Sequence, residues 1–262
     1  MRSPGTRREF LGRAGAASLV ALTAADRTGL LAEAAGLPTT RALARRLRGA
    51  LVLPGQGGYG AAKALYNPRL DIPPRAIAFC QTPGDVAEVL AFARARGWPV
   101  AARSGRHSFA GYSNTRGIVA DVSPMRQVLY DRSSGLVRIG AGANLRDVYE
   151  GLVLRHGVAL PTGTCPTVGI AGLALGGGFG HLMRHAGLLC DSLEAVDLIL
   201  ADGRRVRASA RSAADLFWAC RGGGGGNFGV ATEFTFRTLA AGPVTTFSLD
   251  FAWAGAGAAL DV

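Results

Sequence analysis

Apolar positions in this chain gather in short runs separated by glycine-rich, polar loops. Residues 76-AIAFC-80, 99-PVAAR-103, 117-GIVADVS-123 and 136-LVRIGAG-142 are brief, almost continuous apolar runs of buried-strand type. Between the first two, 85-DVAEVLAFARARG-97 repeats apolar residues at helical spacing, opens on Asp85 after Pro83 and Gly84, and stops at Gly97. Asn144 is placed to cap a helix over 145–157. Further on, 193–209 reads as two strands around Asp202–Gly203, 213–222 as a short helix, and 228–238 as a strand with Phe234 and Phe236 on one face. Residues 26–48 read as helical, and 244–253 as the start of another strand. Strands and helices interleave without a steady βαβ period, so the pattern predicts an α+β domain.

Composition narrows the class. At 262 residues, with 48% hydrophobic and 18% charged, the chain can bury a substantial core. Its formal charge is +11, but residues 1–25 hold four arginines against Glu9, leaving +8 on the rest. The remaining arginines are scattered, and neither a basic helix nor a basic–aromatic stripe emerges, which argues against nucleic acid as a partner. Residues 6-TRREFLGRAGAASLVALTAA-25 place Arg7–Arg8 before Phe10–Leu11 and a moderately apolar stretch. This is the pattern of a twin-arginine export signal cleaved after Ala25, implying a periplasmic or extracellular protein. The apolar run is too short to span a bilayer, so no membrane span is expected in the mature chain. Four cysteines (Cys80, Cys165, Cys190, Cys220) form no CxxC pair, and no disulfide pairing follows from them. Nothing in the sequence sets an oligomeric state.

Several motifs invite a ligand. Gly55, Gly57 and Gly60 satisfy G-x-G-x-x-G, but Pro54 precedes them and no acid ends the run 76–80, as dinucleotide binding requires. The run Gly222–Gly226 lacks the Lys-Ser/Thr of a phosphate loop, and His181 with His185 has no third ligand for zinc. Two other loops stand out. In 103-RSGRHSFAGYS-113 and 162-TGTCPTVGIAGLALGGGFGH-181, His107 and Cys165 each sit in a Gly- and Ser-rich loop after an apolar run. Such a loop brings backbone N–H groups close to a phosphate or flat ring, and a nucleophile inside it can bond the ligand covalently.

Together with Ile77–Cys80, Asp85–Val86, Gly140–Gly142, Gly187–Asp191 and 215-DLFWACRGGGGGNFGVATEFTF-236, these loops resemble the berberine-bridge-enzyme-like FAD-linked oxidases, in order from Leu51 to Phe236. The resemblance implies a two-subdomain PCMH-type FAD-binding domain over 51–240. It would follow a signal at 1–25 and a helical segment at 26–50, and precede the truncated start of a substrate domain at 241–262. It implies FAD bonded through its 8α carbon to His107 and through C6 to Cys165. Around the cofactor it places Arg103, Ser104, Gly105, Arg106 and Ser108 on the phosphates and flavin link. Gly142, Val168, Gly169, Gly172, Gly177, Gly229 and Val230 complete the cofactor residues, although Gly176–Gly178 read equally well as a structural turn. Val168 falls at the family's oxygen gate, where valine accompanies oxidases, so molecular oxygen is the expected acceptor. The implied reaction moves a hydride to flavin N5 from a small-molecule alcohol, amine, sugar or secondary metabolite. The family's catalytic base would lie beyond Val262, so no residue here receives that role; a truncated, catalytically incomplete FAD-binding module is the alternative. Two departures stand out: Arg106 replaces a frequent Gly, which raises a different φ there, and Phe109 replaces a frequent Tyr.

Overall fold

The computed structural model describes residue 36 and residues 38–245 and 247–261. The export signal expected at 1–25 lies outside them, as does most of the expected 26–48 helix. What is described of that helix is α1 (Thr40–Arg46), capped by the Thr39 hydroxyl and anchored by buried Leu43.

Two sheets form the framework. The first has the order β1-β2-β4-β3, from β1 (Ala50–Val52), β2 (Ala76–Phe79), β3 (Val100–Arg103) and β4 (Ile118–Asp121). Strands β2, β3 and β4 run parallel, while β1 is antiparallel to β2. Strand β4 is buried at every position and β2 at its first three, as the apolar runs predict for strands covered on both faces. The G-x-G-x-x-G match spans the turn before α2 (Tyr59–Lys63) and the first residues of that helix, between antiparallel strands, so the parallel crossover of a dinucleotide fold is absent there.

The second sheet is wholly antiparallel. Its order is β5-β6-β10-β8-β9, from β5 (Val128–Asp131), β6 (Leu136–Gly140), β8 (Leu193–Ile199), β9 (Arg205–Ser209) and β10 (Val230–Arg237). Phe234 and Phe236 share the core-facing side of β10, both fully buried with their rings 5.8 Å apart. Strand β5 carries no clear sequence period because it is a half-exposed edge of four residues closed by the turn 131-DRSSG-135. A small ladder pairs β7 (Val158–Ala159) with β11 (Leu239–Ala240).

Helix α3 (Pro83–Arg96) links the two sheets, touching both β4 and β8. It starts before Asp85: Thr82 is the N-cap, Pro83 occupies the first turn, and Asp85 closes a capping box. Gly97 ends it at φ 61°, in the left-handed region. Val86, Val89, Phe92 and Ala93 join one core with Ala78, Ile118, Ile139, Val196, Phe234 and Phe236, so both sheets share a single hydrophobic interior. The predicted 145–157 helix begins as α4 (Leu145–Tyr149), capped by Asn144, then loosens into a π-helical turn at Glu150–Leu154. Short helices α5 (Ile170–Leu175), α6 (Met183–Ala186) and α7 (Ala214–Ala219) complete the domain.

The chain differs from expectation after β11. Among the described residues of 244–253 there is no strand and no pairing with a neighbouring strand, and Phe247, Leu249, Phe251 and Trp253 stand exposed ahead of the one-turn α8 (Ala256–Leu260).

Candidate cofactor site

Parallel strands favour ligand sites at their carboxyl ends, and a cavity lined by Arg103 and Val122 opens there in the first sheet. Arg103 and Asp121 end β3 and β4 side by side in register. Their side chains are completely buried and joined by a 2.7 Å Nε–Oδ2 ion pair. Burial pulls the Arg103 guanidinium down, and Asp121 opposes that shift. The Arg103 Nη1 and Nη2 atoms find no protein acceptor, and neither does the Ser113 hydroxyl. Among the described residues these are the buried side-chain polar atoms without partners, and both residues line the same cavity of about 530 Å³. Orphaned donors at one cavity call for a polar ligand rich in acceptors.

The loop after β3 forms one wall. Arg106 takes φ 65°, a left-handed conformation suited to glycine that is held here with a side chain, at a strain of about 1 kcal/mol. That side chain is held: Nη1 donates to the Ala61 carbonyl at 2.9 Å and Nη2 lies 3.9 Å from Asp121. Two guanidinium groups therefore share one carboxylate beside the cavity, leaving net positive charge. The Ser104 hydroxyl donates to the Ala141 carbonyl at 2.8 Å, and that of Ser108 accepts from the Tyr112 amide at 3.0 Å. Both serines thus spend their side chains on holding the loop. Among the described residues, the Gly105, Arg106 and His107 amides donate to no protein acceptor, which leaves them for a ligand.

The opposite wall comes from the Cys165 loop and α5. Gly105 and Gly169 abut so closely that a methyl on either would strike the other loop's backbone. Gly172 differs: a Cβ there would meet nothing, and it faces the cavity with Ala171, Gly225, Gly226 and Ala102. This smooth, side-chain-poor wall suits a flat ring. The run Gly222–Gly226, set aside as a phosphate loop, gets its position from Gly222 and Gly224 amides donating to the Leu175 carbonyl at the end of α5. Val168, Val230 and Ala231 add apolar surface, while Phe109, Tyr112 and Phe179 stand largely exposed at the rim.

His107 and Cys165 meet through a residue that the sequence did not mark. Thr167 Oγ1 lies 2.9 Å from His107 Nε2 and 3.5 Å from Cys165 Sγ. The Tyr66 ring stacks on the imidazole, centroids 4.1 Å apart at 21°, and the Tyr66 amide donates to the Arg106 carbonyl. Burial lowers the His107 pKa, favouring neutral imidazole. Hydrogen bonding from the Thr167 hydroxyl, then from backbone amides, lowers that of Cys165 and favours thiolate.

Arg103, Ser104, Gly105, Arg106, His107, Ser108, Val168, Gly169, Gly172 and Val230 of the expected set line one cavity. Gly142, Gly177 and Gly229 do not, and neither does Cys165, which reaches the lining residue His107 only through Thr167. Gly142 lets the chain after β6 press against the Val122 carbonyl, Gly177 turns at φ 102° between α5 and Cys190, and Gly229 enters β10 at φ 144° against the Ile199 carbonyl. They shape the cavity from behind. Thr167, Tyr66 and Ser113 carry no sequence signal, because a lone Thr, Tyr or Ser in a loop is ordinary until folding reveals its neighbours.

Comparison with known proteins agrees with this geometry. The FAD binding domain family matches residues 74–209. The FAD-linked oxidoreductase YgaK of Bacillus subtilis is 39% identical over 213 residues, covering 79% of this chain and 47% of that one. The BBE-like 1 structure of Physcomitrella patens superposes at a TM-score of 0.74 with 34% identity, covering 78% of this chain and 45% of that one. A glucooligosaccharide oxidase of Acremonium strictum, described with a 6-S-cysteinyl, 8α-N1-histidyl FAD, matches at 0.68 with 32% identity over 73% of this chain and 41% of its own. The chain thus spans about half the length of these relatives. Its parallel and antiparallel sheets, its glycine-walled cavity and these matches together show that the chain belongs to the FAD binding domain family, among the berberine-bridge-enzyme-like FAD-linked oxidases.

Proposed function

We propose that the chain holds FAD by two covalent bonds, from His107 to the 8α carbon and from Cys165 to C6, and serves oxidation of an alcohol, sugar or secondary metabolite by hydride transfer to flavin N5. The observation that carries this reading is the meeting of His107 and Cys165, 58 positions apart, on one threonine hydroxyl beside a cavity with orphaned donors. Bound there, FAD supplies a two-electron acceptor.

The residues present fit that cofactor. Arg103, Arg106 and the free amides of Gly105–His107 would hold its diphosphate, while Gly172, Gly225 and Gly226 leave room for a flat ring. His107 presents a neutral imidazole and Cys165 a thiolate-prone sulfur, the states in which each side chain is nucleophilic. Val168 is small enough to leave molecular oxygen a path beside the ring, which supports an oxidase that releases hydrogen peroxide. We also propose export by the twin-arginine route, supported by Arg7–Arg8 ahead of Phe10 and Leu11; replacing both arginines by lysine should then retain the protein in the cytoplasm.

Intact mass after acid denaturation tests the attachment. The native chain should gain the mass of one FAD, each of His107→Ala and Cys165→Ala should keep it through the other bond, and the double variant should lose it. An unmodified native chain after incubation with FAD in air would refute the two-bond reading.

A further inference from the structure

A threonine hydroxyl has one hydrogen, yet that of Thr167 touches two groups that must be activated differently. It lies 2.9 Å from His107 Nε2 and 3.5 Å from Cys165 Sγ. If it donated to Nε2, the imidazole hydrogen would sit on Nδ1, and the sulfur would have no hydroxyl donor. If it accepts from Nε2–H, Nδ1 keeps its lone pair and the threonine hydrogen is free for sulfur. Only the second direction readies both nucleophiles.

We propose that Thr167 is a positioning residue that links His107 and Cys165 in one directed chain, Nε2–H to Oγ1 and Oγ1–H to Sγ, setting the imidazole tautomer and the thiolate together. The proposal rests on the two-bond reading above. Three observations support it beyond the distances. Among the described residues, Nδ1 of His107 makes no hydrogen bond, so the nitrogen left unprotonated is also the unencumbered one. Tyr66 covers one imidazole face at 4.1 Å and limits rotation of the ring away from Thr167. The Thr167 hydroxyl is the largest cause of the lowered Cys165 pKa.

The bonds to be made are explicit. At His107, Nδ1 bonds to the 8α carbon, one 8α C–H bond breaks, and this proton and the Nε2 proton are released. The two electrons of the broken bond remain on the ring. At Cys165, the thiol proton leaves to give thiolate, the sulfur bonds to C6, the C6–H proton leaves, and two electrons again remain. In each case molecular oxygen takes up two electrons and two protons as hydrogen peroxide. Thr167 is neither consumed nor bonded.

The test follows the denatured mass of the full chain over time during incubation with FAD in air, with each link read separately. A Cys165→Ala background reports the histidyl bond and a His107→Ala background the cysteinyl bond. In both, Thr167→Val, which keeps the shape and removes the hydroxyl, should slow attachment about tenfold, the loss expected for one hydrogen bond. Thr167→Ser should restore the rate. Thr167 is solvent-exposed, so the valine variant should fold, as circular dichroism would verify. Valine attaching at the parent rate would overturn the proposal, as would slowing at only one link, or serine behaving like valine. If neither background gains mass even with Thr167 intact, the two-bond reading fails too, and that result differs visibly from loss confined to the valine variants.

Discussion

Side by side, the four cysteines show how surroundings divide one residue type into different chemistries. Burial pushes the Cys80 and Cys190 thiols up, and that of Cys220 to about 11, while Cys165 lies partly exposed and is shifted down by Thr167. Thiolate is the reactive form, so in flavin-free protein, before Cys165 has bonded to FAD, iodoacetamide at pH 8 should label Cys165 well before the other three. Peptide mapping by mass spectrometry checks this, and early labelling of Cys80 or Cys220 would contradict it. His107 carries a pH consequence of its own. Desolvation favours its neutral form, so its folded pKa lies below the unfolded value of about 6.5. Histidyl attachment, measured in Cys165→Ala, should accordingly hold its rate as pH falls through 6.5 and decline only below it. A midpoint above 6.5 would mean that the imidazole is not desolvated as described.

Strand ends and loops carry the next level. Because Arg103 and Asp121 are wholly buried at the ends of β3 and β4, Asp121→Asn leaves an unpaired cation in the interior. Removing one member of a buried pair costs about 3–5 kcal/mol, and chemical denaturation of the flavin-free double variant His107→Ala/Cys165→Ala provides a background free of cofactor effects. A loss under about 1 kcal/mol would show that water reaches the pair. The loops obey a steric rule as firm as this electrostatic one. Gly105→Ala or Gly169→Ala drives a methyl into backbone across the loop contact, so each should abolish flavin retention, whereas Gly172→Ala enters open space and should leave the fold intact while crowding the ring. Flavin absorbance of the purified variants distinguishes these results.

Over the molecule as a whole, the two sheets and α3 share one core, while none of the described residues after β11 belongs to it. Phe247, Phe251 and Trp253 are each at least 65% exposed. Chymotrypsin should cleave there first and release a fragment, ending at Phe247, that retains its flavin. Early cleavage within either sheet would show that the core is less cooperative than its continuity implies.

The apolar runs and the capping and turn residues were enough to announce β2, β3, β4, β6, α3 and the β8–β9 hairpin, because these elements are specified by local periodicity and by steric punctuation such as Gly97 and Asp202–Gly203. The ordered motifs likewise pointed to FAD and to His107 and Cys165, since nucleophiles in glycine loops are rare enough to be read locally. Other features depended on the fold. The edge strand β5 exists because β6 offers it backbone partners, and the described residues of the 244–253 run are no strand because, among the described residues, nothing does. Thr167, Tyr66, Ser113 and the Gly225–Gly226 wall enter the site only through contacts between segments distant in sequence. Propensity and periodicity act over a few residues, whereas hydrogen-bond direction, ion-pair burial and cavity shape arise only when distant segments meet.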